Sequence, residues 1–248
     1  FLDNHIRNDL TYATSSSREL RREFVFIPVV TGEGTHTWRD LNEDGIQDIT
    51  EFFEAINFDE RNFIKLFVPT NTFIAAFSNL FNMNLNLTMP RNWRTESGMK
   101  NFLSKFSNNT TININKKNTD DGFNSRFNPF ELNTKNVNLI FVKDGFRNTL
   151  FFNRSNPQFG FNLGYFSGHS KQLISSGIES RNNKEYKLNS RVNIQKTYTI
   201  VFDATTSKKE NLSDFLDNRN YNIISKAFKP QVVWQPKNTL RFTSAFEY

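Results

Sequence analysis

The chain has 248 residues, 28 of them Phe, no cysteine and a formal net charge of +6. The lack of cysteine excludes a disulfide framework and a thiolate metal site. Lys and Arg are scattered along the chain, at most in pairs, and form no basic stripe, so no nucleic-acid partner is expected. Nothing approaches the ~18 consecutive apolar residues of a membrane helix. A mean hydropathy of -0.59 still leaves room for a membrane β-barrel, in which only every second residue need be apolar.

Residues 1–30 read as barrel strands. Alternation is weak over Phe1–Ala13, Thr14-Ser15-Ser16-Ser17 reads as a turn, and Leu20, Phe24, Phe26 and Val30 then share one parity. Residues 31–72 break this rhythm and read as an insertion. Within it, Asp40, Asn42, Asp44, Asp48 and Glu51 fall at positions 1, 3, 5, 9 and 12 of a calcium-loop template. Gly45 sits at the sharp turn in position 6, and the carbonyl of Ile46 fills position 7. Calcium needs about 6–8 converging oxygens, which this spacing offers, so a structural Ca²⁺ is expected here. Gln47 departs from the apolar residue usual at position 8, which argues against a regular paired EF-hand. Ile49, Phe52, Phe53 and Ile56 share a face at helical spacing, predicting a short helix over 49–58.

Residues 73–248 read as long antiparallel transmembrane strands. From Phe73 to Met89, Phe73, Ala75, Phe77, Phe81, Met83, Leu85 and Leu87 alternate with a set that turns polar at Asn82, Asn84 and Asn86. That run is about 17 residues, where soluble strands have about 5–6 and a membrane strand about 9–11. Further strands are expected over 101–116, 137–143, 146–153 and 159–165, with plainer ones at 173–180 and 186–194. The last are expected at 198–204, 220–235 and 240–248. Asp144-Gly145 is the strongest hairpin signal, residues 117–136 read as a long loop and 207–218 as a charged one. Pro230 calls for a bulge. About twelve strands result, in line with the ~10-residue alternating segments of transmembrane barrels.

Such barrels carry short periplasmic turns and long extracellular loops. Numbering the connections alternately groups the calcium segment with 117–136, 154–158, 181–185 and 207–218, and puts this set outside the cell. Asp144-Gly145, 168–171, Gln195-Lys196 and 235–238 form the periplasmic set, with 90–100 as its long member. The last strand then runs outward to Tyr248, so the chain is expected to be part of a larger barrel, open at both ends. Trp93 and Trp234 fall near the periplasmic connections, as an interfacial aromatic girdle requires.

The segment from Gly34 through Trp38, Asp40 and Gly45 to Gln47, together with Phe67-Val68-Pro69-Thr70-Asn71, resembles the large cell-surface and outer-membrane proteins of Bacteroidota. In these a calcium-type loop and a "VPTN"-like return precede long alternating strands. The loop itself is similar to dockerin and thrombospondin type 3 calcium repeats. The resemblance covers about residues 20–248 and implies a large β-barrel in the bacterial outer membrane, in contact with lipid and with other outer-membrane or surface proteins.

His5, His36 and His169 stand in no metal-ligand spacing, and no nucleophile elbow or phosphate-cradling glycine loop is present, so the chain is not read as an enzyme. Two functions fit the pattern. The first is an integral outer-membrane barrel acting as a pore, a transporter or a component of an export or assembly complex. The second is a secreted, calcium-stabilised β-rich adhesin; strand length favours the first.

Overall fold

The computed structural model describes residues 5–132, 136–195, 197–214 and 216–248. Residues 1–4 of the first strand segment, 133–135 of the long loop, Lys196 of its hairpin and Phe215 lie outside them. Eleven strands form one antiparallel sheet. Eight are long: β1 (Ile6–Pro28), β4 (Phe63–Thr88), β5 (Phe106–Asn118), β6 (Leu139–Phe152), β7 (Phe159–Ile174), β8 (Gly177–Ile194), β9 (Tyr198–Ser213) and β10 (Tyr221–Lys237); β11 (Leu240–Ala245) is short. β2 (His36–Trp38) and β3 (Phe52–Glu54) belong to the insertion between β1 and β4. The order is β1-β4-β5 and so on to β11, each strand paired with its neighbour in the chain once the insertion is set aside. The sheet is all-β, antiparallel and open, as expected: β1 and β11 are its two edges.

Pairing continues where local signals had called for turns. β1 runs straight through Ser15-Ser16-Ser17, matched residue by residue with Ala76, Phe77 and Ser78 of β4. A long partner supplies a ladder bond at every step, which outweighs the turn preference of serine. Its one irregularity, between Leu20 and Arg22, lies opposite Pro69, which cannot donate to a ladder. Asp144-Gly145 is no hairpin either. Both residues are mid-strand in β6, paired with Ile114 and Asn113 on one side and with His169 and Gly168 on the other. On the face shared by Gly145 and Gly168, the Phe166 ring covers the gap: a Cβ on Gly168 would meet it at 2.8 Å. Residues 168–171 and 181–185 are likewise strand interior, and the real connection is the tight turn at 175–176. Pro230 needs no bulge against β9, where it pairs with Phe202 in register. Its carbonyl accepts from Phe246, so the missing N–H faces the short edge strand β11.

These corrections redraw the two ends of the sheet. The insertion end holds 29–62, 119–138, 175–176 and 214–220; the opposite end holds 89–105, 153–158, 195–197 and 238–239. Residues 154–158 thus move to the end opposite the insertion. The longest connections stay with the insertion. Tyr248 runs toward that end but stops level with Phe228, to which it makes two backbone bonds of 3.0 Å.

The alternation of β4 extends across the whole sheet. Leu87, Asn108, Leu150, Leu163, Leu188, Ala204 and Phe228 are successive cross-strand neighbours on one face. The rows beside it on that face carry Phe106, Phe152, Phe161 and Phe202, then Ile194, Tyr198, Trp234 and Phe242. The other face carries Asn86, Asn109, Thr149, Asn162, Asn189 and Asp203. One face is therefore an apolar band and the other polar. Along β8 the apolar-facing residues from Tyr186 to Ile194 extend about 26 Å at 3.3 Å per residue, close to the ~25 Å apolar band of membrane barrels.

No second layer covers most of this band. Among the described residues the buried apolar side chains are Ala76, Phe81, Ile114, Leu139, Val142, Ile178 and Val233, whereas Leu10 is 55% and Leu163 45% exposed. The exception is the insertion end, where residues 119–132, including helix α2 (Phe123–Phe127), fold onto the apolar face. Tyr12 Oη donates to the Phe127 carbonyl at 2.5 Å, Asn79 to that of Arg126 at 2.6 Å, and Phe130 packs on Phe81 at 4.9 Å. Phe77 and Phe81 are thus covered by protein, and the open band begins at Met83.

Candidate metal centre and sheet faces

The insertion docks on the β1–β4 pair through aromatic contacts and backbone bonds. Phe52 stacks on Phe26 at 4.1 Å and meets Phe63 edge-on at 5.0 Å. β3 pairs with β2, and β2 joins β4 at His36–Phe63. The expected helix over 49–58 does not form. A 3-10 turn at Ile49–Glu51 leads into β3, since pairing and the Phe26 stack draw Phe52 inward while Ile56 is left 86% exposed. Helix spacing at Ile49, Phe52, Phe53 and Ile56 reflected no buried face. Gly32 and Gly34 both donate to the carbonyl of Arg61, at 3.0 and 3.1 Å.

Of the six residues of the predicted calcium loop, Asp40, Asn42, Asp44 and Ile46 lie in one tight turn, while Asp48 caps and Glu51 ends the 3-10 turn that follows. Asp40 Oδ1 and Asn42 Oδ1 each accept from the Asp44 amide at 3.2 Å, so these two oxygens converge on one point. Asp40 Oδ2 accepts from Gly45 at 2.8 Å, and Asp44 Oδ1 from Ile46 at 2.7 Å. Glu43 and Gly45 have φ of 59° and 71°, the left-handed conformations that curl the chain around its own carboxylates. The Gly45 position is open, with nothing near an added Cβ, so glycine serves the turn and not the packing.

Glu51 closes the loop. Its carboxylate, in a residue only 3% exposed, accepts from Trp38 Nε1 at 2.9 Å, from the Leu41 amide at 3.1 Å and from the Asp48 amide at 3.4 Å. It therefore ties both ends of the turn, the place the template gives to its last ligand. The Ile46 carbonyl accepts from Asp48 at 3.1 Å. Among the described residues, no three His, Asp or Glu side chains are gathered as a metal cluster. The loop's oxygens are instead directed at its own amides. Sequence spacing pointed to the loop but not to Trp38, whose indole N–H holds Glu51.

The Trp38 hydrogen bond, helped by the Leu41 and Asp48 amides, holds the Glu51 carboxyl below the usual carboxylate range, against burial and the neighbouring Asp40. Burial, and then Lys65, push the His36 imidazole below its ordinary value, opposed by Glu54. Both groups bind protons more readily when the insertion is undocked, so its stability rises with pH. Acidification should loosen it in two stages, first below about pH 6.5 as His36 protonates, then below the ordinary carboxylate range as Glu51 does. Trp38 fluorescence in a Trp93→Phe/Trp234→Phe background reads this; a flat signal across both ranges would contradict it.

Asp144 and His169 are paired on the apolar-facing side of β6 and β7, with Nδ1 and Oδ1 3.0 Å apart, while the adjacent Ser170 points to the opposite face. His36 Nδ1 is bonded to Thr35 Oγ1 at 2.8 Å. Polar groups within the apolar band satisfy one another. Asn108 and Asn148 exchange amide hydrogen bonds of 3.1 and 3.0 Å, and Thr110 closes the triplet at 2.9 and 2.8 Å. On the polar face Asn109 donates to Asn84 at 2.8 Å and to Asn86 at 2.7 Å. The triplet was hidden in the sequence because its members sit on two strands. Comparison with protein-family models, curated proteins and solved structures finds no match.

Proposed function

We propose that this sheet is part of the wall of an integral β-barrel in the bacterial outer membrane. It would serve a pore, a transporter or an export or assembly complex, with lipid and other surface proteins as its neighbours. The observation that carries the reading is a sheet with an apolar band on one face, uncovered beyond the insertion end, and an asparagine-rich opposite face. A water-soluble domain buries such a face against a second layer; an exposed apolar band of this extent marks a membrane or partner surface. The closed Asn108–Thr110–Asn148 triplet supports lipid on that side, where unsatisfied polar groups cost several kcal/mol. An adhesin sandwich would need the second sheet. Among the described residues no helix is long and apolar enough to cross a membrane, which says nothing of strands.

The longer connections gather at the insertion end, which supports placing the insertion outside the cell. There we assign Asp40, Asn42, Asp44, Asp48, Glu51 and the Ile46 carbonyl to one structural Ca²⁺. The convergence of Asp40 and Asn42 and the closure by Glu51 fit such an ion, provided the oxygens turn from the amides to the metal. No reaction is proposed. At 1 mM Ca²⁺ a site of 10⁻⁴–10⁻³ M affinity stabilises the loop by about 0.4–1.4 kcal/mol. Limited proteolysis of the chain reconstituted in vesicles tests both parts. Cleavage within 35–60 should accelerate on adding EGTA or in Asp44→Ala, while β4–β10 stay protected. Indifference to EGTA and to the mutation would refute the calcium site, and cleavage through the strands would refute the membrane reading.

A further inference from the structure

We infer that the apolar face binds an anionic lipid, its phosphate held by Lys184, Lys208 and Lys226 and one acyl chain lying in a groove beside them. The inference rests on the membrane reading and adds which lipid is bound, and where. Lys184 and Lys208 are directly opposite each other in the β8–β9 register, on the apolar-facing side. Like charges so placed repel and destabilise a sheet pair. Lys226 pairs with Thr206, two residues from Lys208, and so joins them diagonally on the same face. All three are exposed. Lys208 has one acidic partner, Glu210 at 2.6 Å; among the described residues Lys184 and Lys226 have none. Three cations against one carboxylate leave an excess of positive charge at the insertion-end border of the band.

What lies next to the lysines favours a lipid over a free anion. Tyr165 and Tyr186, with ring centroids 5.0 Å apart, occupy the same row as Lys226. Aromatic rings of this kind belong at a membrane interface. The two tyrosines and Lys226 also line an open groove of about 660 Å³ that continues over the next row, Leu163, Leu188, Ala204 and Phe228. A cationic end, an aromatic row and an apolar groove in sequence match the parts of an amphiphile: phosphate, interface and chain. Exposed lysines alone hold a free phosphate poorly in water and salt; the groove supplies the apolar contact that a lipid adds.

The chain is to be purified in a neutral detergent containing phosphatidylcholine with a minor fraction of phosphatidic acid, and the retained lipids counted by mass spectrometry. Phosphatidic acid should be enriched over its input share. Lys184→Gln/Lys208→Gln/Lys226→Gln should reduce that enrichment at least about fivefold, the effect expected of even one lysine near an anionic lipid surface. Lys143→Gln/Lys209→Gln/Lys229→Gln removes the same charge from the polar face and should leave it intact, with circular dichroism confirming the fold of both. Equal enrichment in the two variants, or none in the parent, overturns the site. A chain that keeps phosphatidylcholine but shows no lysine-dependent enrichment refutes the site alone; one that keeps no lipid refutes the membrane reading with it. Self-association abolished by the first variant would give the face to a protein, and overturn the lipid.

Discussion

Leu188→Arg is expected to cost about 1–3 kcal/mol of stability in a bilayer, between the values for Arg near the interface and at the midplane of a membrane strand. Leu188 stands on the apolar band one row in from Tyr186, between Leu163 and Ala204. Its neighbour Asn189 faces the other way, and its side chain is bonded to Asp203. Asn189→Arg places the same charge one residue along, beside an existing carboxylate, and should be tolerated. In a water-soluble sheet the order differs: a half-exposed Leu→Arg changes stability by no more than about 0.5 kcal/mol. The pair of variants, unfolded by urea from vesicles, separates the two readings by the sign and size of their difference.

Gly34→Ala should undock the insertion. A Cβ there would lie 2.7 Å from the carbonyl of Arg61 and 2.7 Å from both N and O of Phe63. All three contacts are backbone in paired segments, so no side chain can swing away. Overpacking of this kind costs about 1–3 kcal/mol, and it strikes the hinge that carries both the loop and β2. Gly45→Ala makes a contrast: its cost is only the left-handed φ, about 1–2 kcal/mol, with no clash. Hydrogen exchange should show amides of 35–62 released in Gly34→Ala while the β4–β5 ladder below Phe77 is unchanged. An insertion as protected as in the parent would contradict the docking described.

Strand alternation was legible because its cause is purely local: a pleat turns each side chain to the face opposite its neighbours. Phe73–Leu87 therefore sorted correctly onto two faces from spacing alone. The ends of strands were less legible. Asp144-Gly145 and Ser15-Ser17 have real turn preferences, yet each lies where partners on one or both sides continue the ladder, and those partners are distant in sequence. Periodicity misled at Ile49–Ile56 for the same reason, because the Phe26 ring that captures Phe52 lies far back in the chain. The turn that begins at Asp40 was legible as a spacing of oxygen-bearing side chains. Its closure by Trp38 was not, since nothing local marks an indole as the donor that would hold Glu51. The fold of 119–132 onto Phe81 was also invisible, since nothing in the alternation of β4 marks Phe77 and Phe81 as covered.

If lipid covers one face of the sheet and water the other, the difference is readable residue by residue along β4. Spin labels placed singly at residues 82 through 87, in the chain reconstituted in vesicles, report access to oxygen dissolved in lipid and to a water-soluble nickel complex. Met83, Leu85 and Leu87 share the apolar face with Ile112, Thr110 and Asn108, and Asn82, Asn84 and Asn86 share the polar one with Asn113, Thr111 and Asn109. A two-residue period is expected, with oxygen access high at 83, 85 and 87 and nickel access high at 82, 84 and 86. A flat profile, or nickel access at all six positions, would contradict it.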